Sequence, residues 1–335
     1  MTDRKLIPPG MTFMADNVIT KQNILGTDRK ARAKWAKDLN LPKTGETLFF
    51  AGCGYQYSAE LENIMGLIQN IDKSAGAAEL AMKAASLPKK LGIDAVGIFN
   101  KLKGKSSEAD AAPLVDAVKV LRKLGIDLAY LGEDEPCCGG ILEYAGLHDE
   151  FTDNGKQGFE LLKSKGVKRI ISIVPSCTYT LRNLIPANVP GYNLEVKHFS
   201  EVVAENIGNL KLRFPKKVKV TYHDPCQMSR CLGLIQEPRK ILNAIENVEV
   251  VEPAWTKGEW STCCGGGGGF EAVFPGLSHI LATNRAKELT DTGADVIVTN
   301  CPGCVSQLIA GLKELKKENV AVLDLAQIVA QSLEV

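Results

Sequence analysis

The sequence predicts an α/β protein made of two pseudo-twofold-related βαβ repeats, with parallel sheets and with cysteine loops at the carboxyl ends of the strands. Three observations lead to this prediction. Short apolar or β-branched runs alternate with helix-like segments. The cysteine patterns of the first half recur in the second half. The cysteines follow directly after the apolar runs, where open α/β sheets place their ligands.

The elements of the two halves come in the same order. In each half an apolar strand leads to the first cysteine of that half, Cys53 or Cys226. A helix and a second strand then lead to a Cys-Cys-Gly sequence, and a helix ending at Gly166 or Gly293 precedes a third strand and the last cysteines. The predicted strands are Thr47–Ala51, Asp127–Leu131, Ile170–Val174, Val218–Tyr222, Val248–Glu252 and Val296–Thr299, and the predicted helices include Leu114–Leu124, Phe159–Lys165 and Asn284–Leu289.

The spacing of the cysteines indicates the domain boundaries. The offsets between the halves are 126 residues for Cys137 and Cys263, 127 for Cys177 and Cys304, and 173 for Cys53 and Cys226. The first half therefore contains an insertion of 47 residues, which we place at about residues 65–110. We expect an N-terminal arm at residues 1–46 with one helix around Asp28–Leu39, a first repeat at 47–212, a link near Asn209–Lys217 and a second repeat at 217–335.

The composition excludes several classes of function. The chain has 335 residues, and its 40 basic and 39 acidic side chains leave a net charge of +1. Nucleic-acid binders and polybasic membrane anchors normally have a clear surplus of Lys and Arg, so we expect neither. We find no run of the roughly 20 apolar residues that span a bilayer and no apolar core of a signal peptide at the start. We therefore expect a cytoplasmic protein without a transmembrane segment of its own.

Ten clustered cysteines are the most unusual feature of the composition. A reducing cytoplasm disfavours disulfides, and a chain of this length can bury a core without them. Clustered thiols in that setting are typical of metal ligands or redox catalysts. The sequence lacks the glycine-rich dinucleotide and phosphate motifs, so a nucleotide-dependent enzyme is not expected.

The two repeats differ in the number of thiols that they offer to a metal. A tetrahedral zinc site takes only four thiolates, one fewer than the second repeat offers. Thiolates are also the usual ligands of iron–sulfur clusters, so five thiols favour a larger iron–sulfur assembly. The run Gly265–Gly269 lets the backbone approach such a cluster and donate N–H groups. In the first repeat Val174 stands at the position equivalent to Cys301, so its four thiols can hold zinc, an iron–sulfur cluster or no metal. The five thiols of the second repeat are Cys226, Cys263, Cys264, Cys301 and Cys304, and the four of the first are Cys53, Cys137, Cys138 and Cys177.

These patterns resemble the duplicated cysteine-rich CCG domain. That domain occurs in the B and D subunits of heterodisulfide reductase and in the iron–sulfur subunits of lactate, glycolate and glycerol-3-phosphate oxidation systems. The resemblance covers about residues 47–335, and the sequences Asp224-Pro225-Cys226, Glu237-Pro238-Arg239 and Cys263–Gly269 are most similar to the D-like branch. It implies that the five second-repeat cysteines bind a noncubane [4Fe–4S] cluster that reduces disulfides, in a chain that works within a complex.

The sequence departs from the family pattern in three places. Val174 replaces one ligand of the first repeat. Cys231 stands where the family has a histidine or another polar residue, and it can be an extra ligand, a substrate-binding thiol or a small buried residue. The ferredoxin-type cysteine run of the D-like branch does not precede Cys53. We therefore expect electrons from a separate ferredoxin-like iron–sulfur subunit, with a flavoprotein subunit as a further partner.

Three functions fit these residues. The first is a catalytic subunit acting on a small disulfide or sulfur substrate, with His223 as proton donor to a departing thiolate or as a hydrogen-bonded core histidine, and with Cys231 as a second candidate catalytic residue. The alternative is an electron-transfer subunit that links a flavoprotein or ferredoxin to a quinone or other redox partner and has no substrate of its own. The third is a zinc-stabilised scaffold, which would be colourless.

Overall fold

A computed structural model describes residues 4–56 and 111–334. The insertion predicted at residues 65–110 lies outside the described residues. The described chain forms two parallel sheets flanked by helices, which confirms the predicted fold class.

The first sheet has the strand order β1-β2-β3, and all of its strands are parallel. Its strands are β1 (Thr47–Phe50), β2 (Arg169–Ser172) and β3 (Glu195–His198). The strand predicted at Asp127–Leu131 is wrong, because only Ala129 bridges to Leu48 of β1. The next residue donates its N–H to the arm residue Pro42, and the chain then turns at Gly132, whose φ is 63°.

The second sheet has the order β5-β4-β6-β7, again with all strands parallel. Its strands are β4 (Arg213–Tyr222), β5 (Glu246–Val250), β6 (Val296–Thr299) and β7 (Ala321–Asp324). With the Ala129 bridge in the place of β5, the first sheet follows the same order, so the two repeats share one topology. β4 begins inside the stretch predicted to link the repeats, where Arg213 pairs with Glu246.

Fourteen α-helices of the described chain accompany the sheets. The three helices predicted within the repeats are confirmed and are longer than expected. Two of them end just before Gly166 and Gly293, whose φ values are 78° and 76°. The helices are α1 (Pro9–Lys21), α2 (Arg29–Arg32), α3 (Gly52–Gln56), α4 (Ala112–Lys123), α5 (Gly140–Tyr144), α6 (His148–Ser164), α7 (Pro175–Tyr179), α8 (Ile185–Asn188), α9 (Phe199–Glu205), α10 (Gln236–Asn243), α11 (Phe270–Val273), α12 (Pro275–Thr290), α13 (Pro302–Glu314) and α14 (Leu325–Ser332).

The two repeats pack on each other by exchanging equivalent contacts. The last helix of the second repeat, α14, packs on α4 of the first, and the first repeat's α9 packs on the second repeat's α10. Leu114, Val118 and Leu121 recur at three- and four-residue spacing on α4 and are fully buried. One hydrophobic cluster therefore joins the two sheets, and a smaller cluster lies between α12, α13 and β6.

The N-terminal arm differs from its prediction. The single helix expected around Asp28–Leu39 is split into α2 and a 3₁₀ helix, Lys34–Leu39, and the longer helix α1 was not predicted. Pro9 starts α1 at a position where the missing N–H costs nothing. Gly10 and Asn17 lie on its buried face, which weakens the apolar periodicity that would reveal it. α1 packs against α5 and α11, so the arm covers the edge of both repeats where the cysteines lie.

Candidate metal centre

The four first-repeat cysteines converge in two close pairs. The Sγ atoms of Cys53 and Cys137 are 3.9 Å apart, and those of Cys138 and Cys177 are 3.4 Å apart. The secondary-structure elements bring these cysteines together. Cys53 follows β1 on α3, Cys177 follows β2 on α7, and the Cys-Cys pair precedes α5. Gly52 is required here, because its φ is 67° and a Cβ would lie 3.0 Å from the Cys177 sulfur.

Burial holds these first-repeat thiols in their protonated form. The hydrogen bond with Cys137 and burial raise the pKa of Cys53. The hydrogen bond with Cys138 lowers the pKa of Cys177, but burial and the nearby Cys53 and Cys137 raise it more, so that the net shift is upward. Several thiolates therefore cannot coexist here without a compensating cation, and binding a metal would release protons.

Val174 occupies the position in the first repeat that Cys301 occupies in the second. It precedes α7 with an extended backbone, as Cys301 does before α13. Its Cγ2 atom would lie 3.1 Å from a Cβ on Gly52. The side chain thus stands beside Cys177 and closes that side of the thiol cluster with a methyl group.

The second-repeat thiols converge in the same manner. Cys264 and Cys304 are buried, with their Sγ atoms 3.1 Å apart. The Gly265 N–H donates to the Cys263 sulfur over 3.3 Å. Gly265 has a φ of 83°, and a Cβ there would overlap the carbonyl oxygen of Ser278, so only glycine fits. Cys301 occupies the N-cap position of α13 and Cys304 lies in its first turn, where the helix dipole stabilises negative charge.

The second-repeat sulfurs shift one another's pKa values in opposite directions. Hydrogen bonds from Cys263 and Cys304, together with the adjacent His223, lower the pKa of Cys264. Hydrogen bonds with Cys264 and Cys301 and burial raise the pKa of Cys304. Burial and the nearby Cys301 and Cys264 raise the pKa of Cys226, which places this thiol beside the others.

A buried ion-pair network fixes the loop that carries Cys226. Both carboxylate oxygens of Asp224 accept hydrogen bonds from the Arg239 guanidinium, at 2.7 and 2.9 Å. Asp224 also accepts from the Gly258 N–H at 2.8 Å, and Arg239 donates to Glu252 at 2.5 Å. The Asp-Pro-Cys and Glu-Pro-Arg sequences therefore hold the loop with Cys226 in place.

Glu135 supports the equivalent loop of the first repeat. Its carboxylate accepts hydrogen bonds from the N–H groups of Ala51 and Gly52, at 2.9 and 3.0 Å, and from the Gln56 side chain. Burial raises its pKa to about 7. Sequence reasoning missed this residue, although a Glu two residues before the Cys-Cys pair was visible.

His223 lies beside the second-repeat sulfurs. The residue is 1% exposed, and a ring nitrogen lies within 4.8 Å of the Sγ atoms of Cys264 and Cys304. Its Nδ1 accepts a hydrogen bond from the Nε of Arg285, which is fully buried. Sequence reasoning also missed Arg285. The sequence feature that could have identified Arg285 is an arginine placed among Ala282, Ala286 and Leu289 on the apolar face of α12.

Cys231 is the outlier among the thiols. It is exposed and ends a π-helical turn, Gln227–Cys231, that packs against α7 of the first repeat. Burial raises the pKa of Tyr144, with smaller contributions from Cys138, Cys177 and Cys231. Cys231 therefore lies nearer to the first-repeat thiols than its place in the sequence suggested.

A cavity of about 450 Å³ joins the two thiol clusters. Its wall includes all four first-repeat cysteines, Cys301 of the second repeat, and the Gly267–Gly269 backbone. Met14 and Ile24 of the arm and Ile141 and Ile309 of the repeats make much of the remaining wall apolar, and Lys313 supplies a positive charge. The two repeats thus present thiols to one shared space.

This fold and site define a class of protein: two α/β repeats that gather thiols for metal-dependent redox chemistry. The family model described as a cysteine-rich domain, CCG, matches residues 105–182 and 220–309, which together make up half of the chain. The chain belongs to this cysteine-rich CCG domain family, which confirms the resemblance found in the sequence.

Several curated proteins are similar to this chain. The D subunit of the dihydromethanophenazine:CoB–CoM heterodisulfide reductase of Methanosarcina acetivorans is 36% identical over 64% of this chain and 54% of its own length. The EtfAB:quinone oxidoreductase of Syntrophomonas wolfei is 34% identical over 65% of this chain and 31% of its own. The B subunit of the fumarate reductase (CoM/CoB) of Methanothermobacter marburgensis is 30% identical over 63% and 41%. The chain thus matches about half of the length of the first of these relatives. Together they identify it as an iron–sulfur redox protein.

Among the described residues, no helix combines the length and the apolar character needed to cross a bilayer.

Proposed function

We propose that the chain is the catalytic iron–sulfur subunit of a heterodisulfide reductase-like complex, with disulfide/thiol chemistry at a noncubane [4Fe–4S] cluster in the second repeat. The observation that best supports this is the convergence of five thiols, one more than a tetrahedral metal needs. The proposed ligands are Cys226, Cys263, Cys264, Cys301 and Cys304.

The donor set fits such a group. Two thiolates on one tetrahedral metal at about 2.3 Å lie about 3.8 Å apart. The Cys53–Cys137 sulfurs lie 3.9 Å apart, whereas the Cys138–Cys177 and Cys264–Cys304 sulfurs, at 3.4 and 3.1 Å, are closer, so metal binding would move them apart by a few tenths of an ångström. Cys263 and Cys264 are adjacent and face different neighbours, so they can bind different iron atoms. A noncubane cluster, when bound, supplies single electrons for cleaving or forming a disulfide bond.

The chain's own residues supply binding and orientation. The Asp224–Arg239 pair holds the Cys226 loop, and the turn at Gly265 places an N–H on the Cys263 sulfur. Cys301 opens onto the shared cavity. A small disulfide or sulfur substrate would bind there against the apolar side chains of Met14 and Ile309.

The first repeat is proposed to hold a second metal site. Its four thiols match the number that zinc or an ordinary iron–sulfur cluster takes. Val174 leaves it without the fifth ligand of the second repeat. The proposed ligands are Cys53, Cys137, Cys138 and Cys177.

The domain limits and the partners belong to the same proposal. The arm spans residues 1–46, the first repeat 47–212 and the second 217–335. Electrons come from a ferredoxin-like iron–sulfur subunit, a flavoprotein completes the complex, and the assembly works in the cytoplasm or on a membrane complex through a partner. Because the relatives' names include subunits of oxidoreductases, a multi-subunit setting suits this chain.

One finding favours a second candidate function. A relative named as an EtfAB:quinone oxidoreductase is as similar as the heterodisulfide reductase subunits. The alternative is therefore an electron-transfer subunit that links a flavoprotein or ferredoxin to a quinone or other redox partner without a substrate of its own.

Anaerobic reconstitution of the full chain tests both candidates. We expect a brown protein that gives a paramagnetic signal when it is oxidised in the presence of a thiol, and that reduces a small disulfide when a reductant is supplied. A cluster without the thiol-dependent signal and without turnover would favour the electron-transfer subunit. A colourless protein that binds only zinc would overturn both.

A further inference from the structure

Arg285 holds His223 in one orientation. The guanidinium is fully buried, and each of its nitrogens has a partner. Nη1 donates to Glu288 at 2.8 Å and to the Thr256 carbonyl at 3.0 Å, and Nη2 donates to Ser261 at 3.1 Å. These bonds leave Nε–H directed at Nδ1 of His223, 3.0 Å away.

This contact determines where the imidazole proton lies. An arginine guanidinium has only donors and stays protonated. Nδ1 of His223 must therefore present its lone pair, and the proton of the neutral ring lies on Nε2. A doubly protonated ring would set two N–H groups against each other at 3.0 Å.

The sulfurs of Cys264 and Cys304 are the acceptors closest at hand for Nε2–H. Among the described residues, this buried nitrogen makes no hydrogen bond. The Sγ atoms of Cys264 and Cys304 lie within 4.8 Å of the ring. Nε2 cannot bind a metal itself. Its lone pair would be free only if the ring proton moved to Nδ1, where it would face the N–H of Arg285.

We propose that Arg285 is a positioning residue that fixes His223 as a neutral N–H donor to the thiolates of Cys264 and Cys304. This role rests on the proposed cluster in the second repeat. Hydrogen bonds to cluster sulfurs are among the determinants of reduction potential. Donation from Nε2 stabilises the more negative, reduced state, so His223 raises the potential and acts neither as a ligand nor as the proton source.

The test uses the full chain, reconstituted anaerobically, with iron analysis before every measurement. His223→Leu removes the donor, and His223→Gln retains an N–H near the Nε2 position. We expect equal iron in all three proteins, a more negative potential for His223→Leu, and a potential near that of the wild type for His223→Gln. An exchangeable-proton coupling in pulsed electron paramagnetic resonance should disappear only in His223→Leu. Equal potentials at equal iron, or a directly bound nitrogen in the wild type, would overturn the proposal.

A second measurement needs no cluster. Nitrogen NMR of the metal-free chain with ¹⁵N-histidine should show His223 with its proton on Nε2. Arg285→Met should release this preference, and Arg285→Lys should restore part of it. A proton on Nδ1 in the wild type would overturn the role of Arg285. Failure of the wild type to bind iron would instead overturn the proposed function, and with it the role of His223 as a donor to a cluster.

Discussion

At the scale of single residues, Arg239 shows how charge is used to fix a ligand position. Asp224 is 1% exposed, and its carboxylate depends on Arg239 for two hydrogen bonds. Removing one partner of a buried pair leaves an uncompensated charge and costs about 3–5 kcal/mol. We predict that Arg239→Met lowers the free energy of unfolding by about that amount and reduces second-repeat iron.

Urea unfolding and iron analysis check this prediction. Arg213→Met is the matched control, because Arg213 pairs with Glu246 and Glu334 on the surface, where such pairs contribute about 0–1 kcal/mol. Equal losses in the two variants would show that the Asp224 pair has no special role.

Asp324 makes stability depend on pH. Burial raises its pKa from 3.8 to about 7, although its hydrogen bonds with Tyr55 and the Ala326 N–H oppose the shift. The folded state therefore binds this proton more tightly than the unfolded chain. Its stabilising contribution is fully present below about pH 4 and is lost as the pH rises through 7.

We predict that Asp324→Asn flattens this dependence. Asparagine can still cap α14 through its amide oxygen and can donate its amide N–H to the Tyr55 hydroxyl oxygen, so the variant should lose less stability than the wild type between about pH 4.5 and 7.5. Urea midpoints at several pH values measure the effect. Asp291→Asn is the control, because Lys287 lowers the pKa of Asp291 and moves its titration below that window. Parallel profiles for the wild type and Asp324→Asn would contradict the prediction.

Cys264 tests the ligand set directly. Its sulfur lies nearest to that of Cys304, so Cys264→Ser should remove about four irons per chain while the circular dichroism stays near that of the wild type. Cys231→Ser serves as the control, because this thiol is exposed and no second-repeat cysteine contributes to the shift of its pKa. Unchanged iron in Cys264→Ser would show that the Cys-Cys pair is not a ligand.

At the scale of elements, the helix pair α4 and α14 joins the repeats. Leu121 is fully buried at this contact, so Leu121→Ala should destabilise the chain by about 2–5 kcal/mol. Because one core spans both sheets, we expect a single unfolding transition at a lower urea concentration. Fluorescence and circular dichroism should give coincident curves. Two separate transitions would show that the repeats unfold independently.

The elements that the sequence predicted correctly are those whose signal is local. The strand β6 coincides with Val296–Thr299, and Gly166 and Gly293 follow the helices that they were expected to end. The prediction of a strand at Asp127–Leu131 was wrong because the Tyr130 N–H donates its hydrogen bond to the arm instead of to a second strand. The position of α1 depends on packing against distant elements, and no short periodicity encodes that.

The candidate site also combines features with a local sequence signal and features that depend on contacts between distant residues. Cysteine spacing and the strand-end rule predicted which thiols would meet, because both are repeated in the sequence. The residues that support them, Glu135 and Arg285, were not predicted. Each acts through partners far away in the chain: Glu135 bonds to Ala51, and Arg285 bonds to His223. Such contacts emerge only when the sheets bring β1 and β4 to these residues.

At the scale of the whole molecule, the pseudo-twofold relation of the repeats is broken at the thiol clusters. In each repeat an extended residue lies between a strand, β2 or β6, and a proline-initiated helix, and that residue is Val174 in one repeat and Cys301 in the other. Both side chains line the shared cavity. The backbone conformation at this position is therefore the same in both repeats, and only the side chain differs.

This symmetry predicts that one substitution restores the missing ligand. In Val174→Cys a sulfur would replace a methyl group beside Cys177, on a backbone that already has the conformation found at Cys301. The change belongs in a Cys264→Ser background, so that only first-repeat iron is counted. We expect more iron per chain and a stronger visible absorbance after reconstitution than in Cys264→Ser alone. Val174→Ala, which opens the same space without adding a thiol, should show no increase. If Val174→Cys also shows none, the two repeats differ by more than one ligand, and the first-repeat thiols serve zinc or the fold itself.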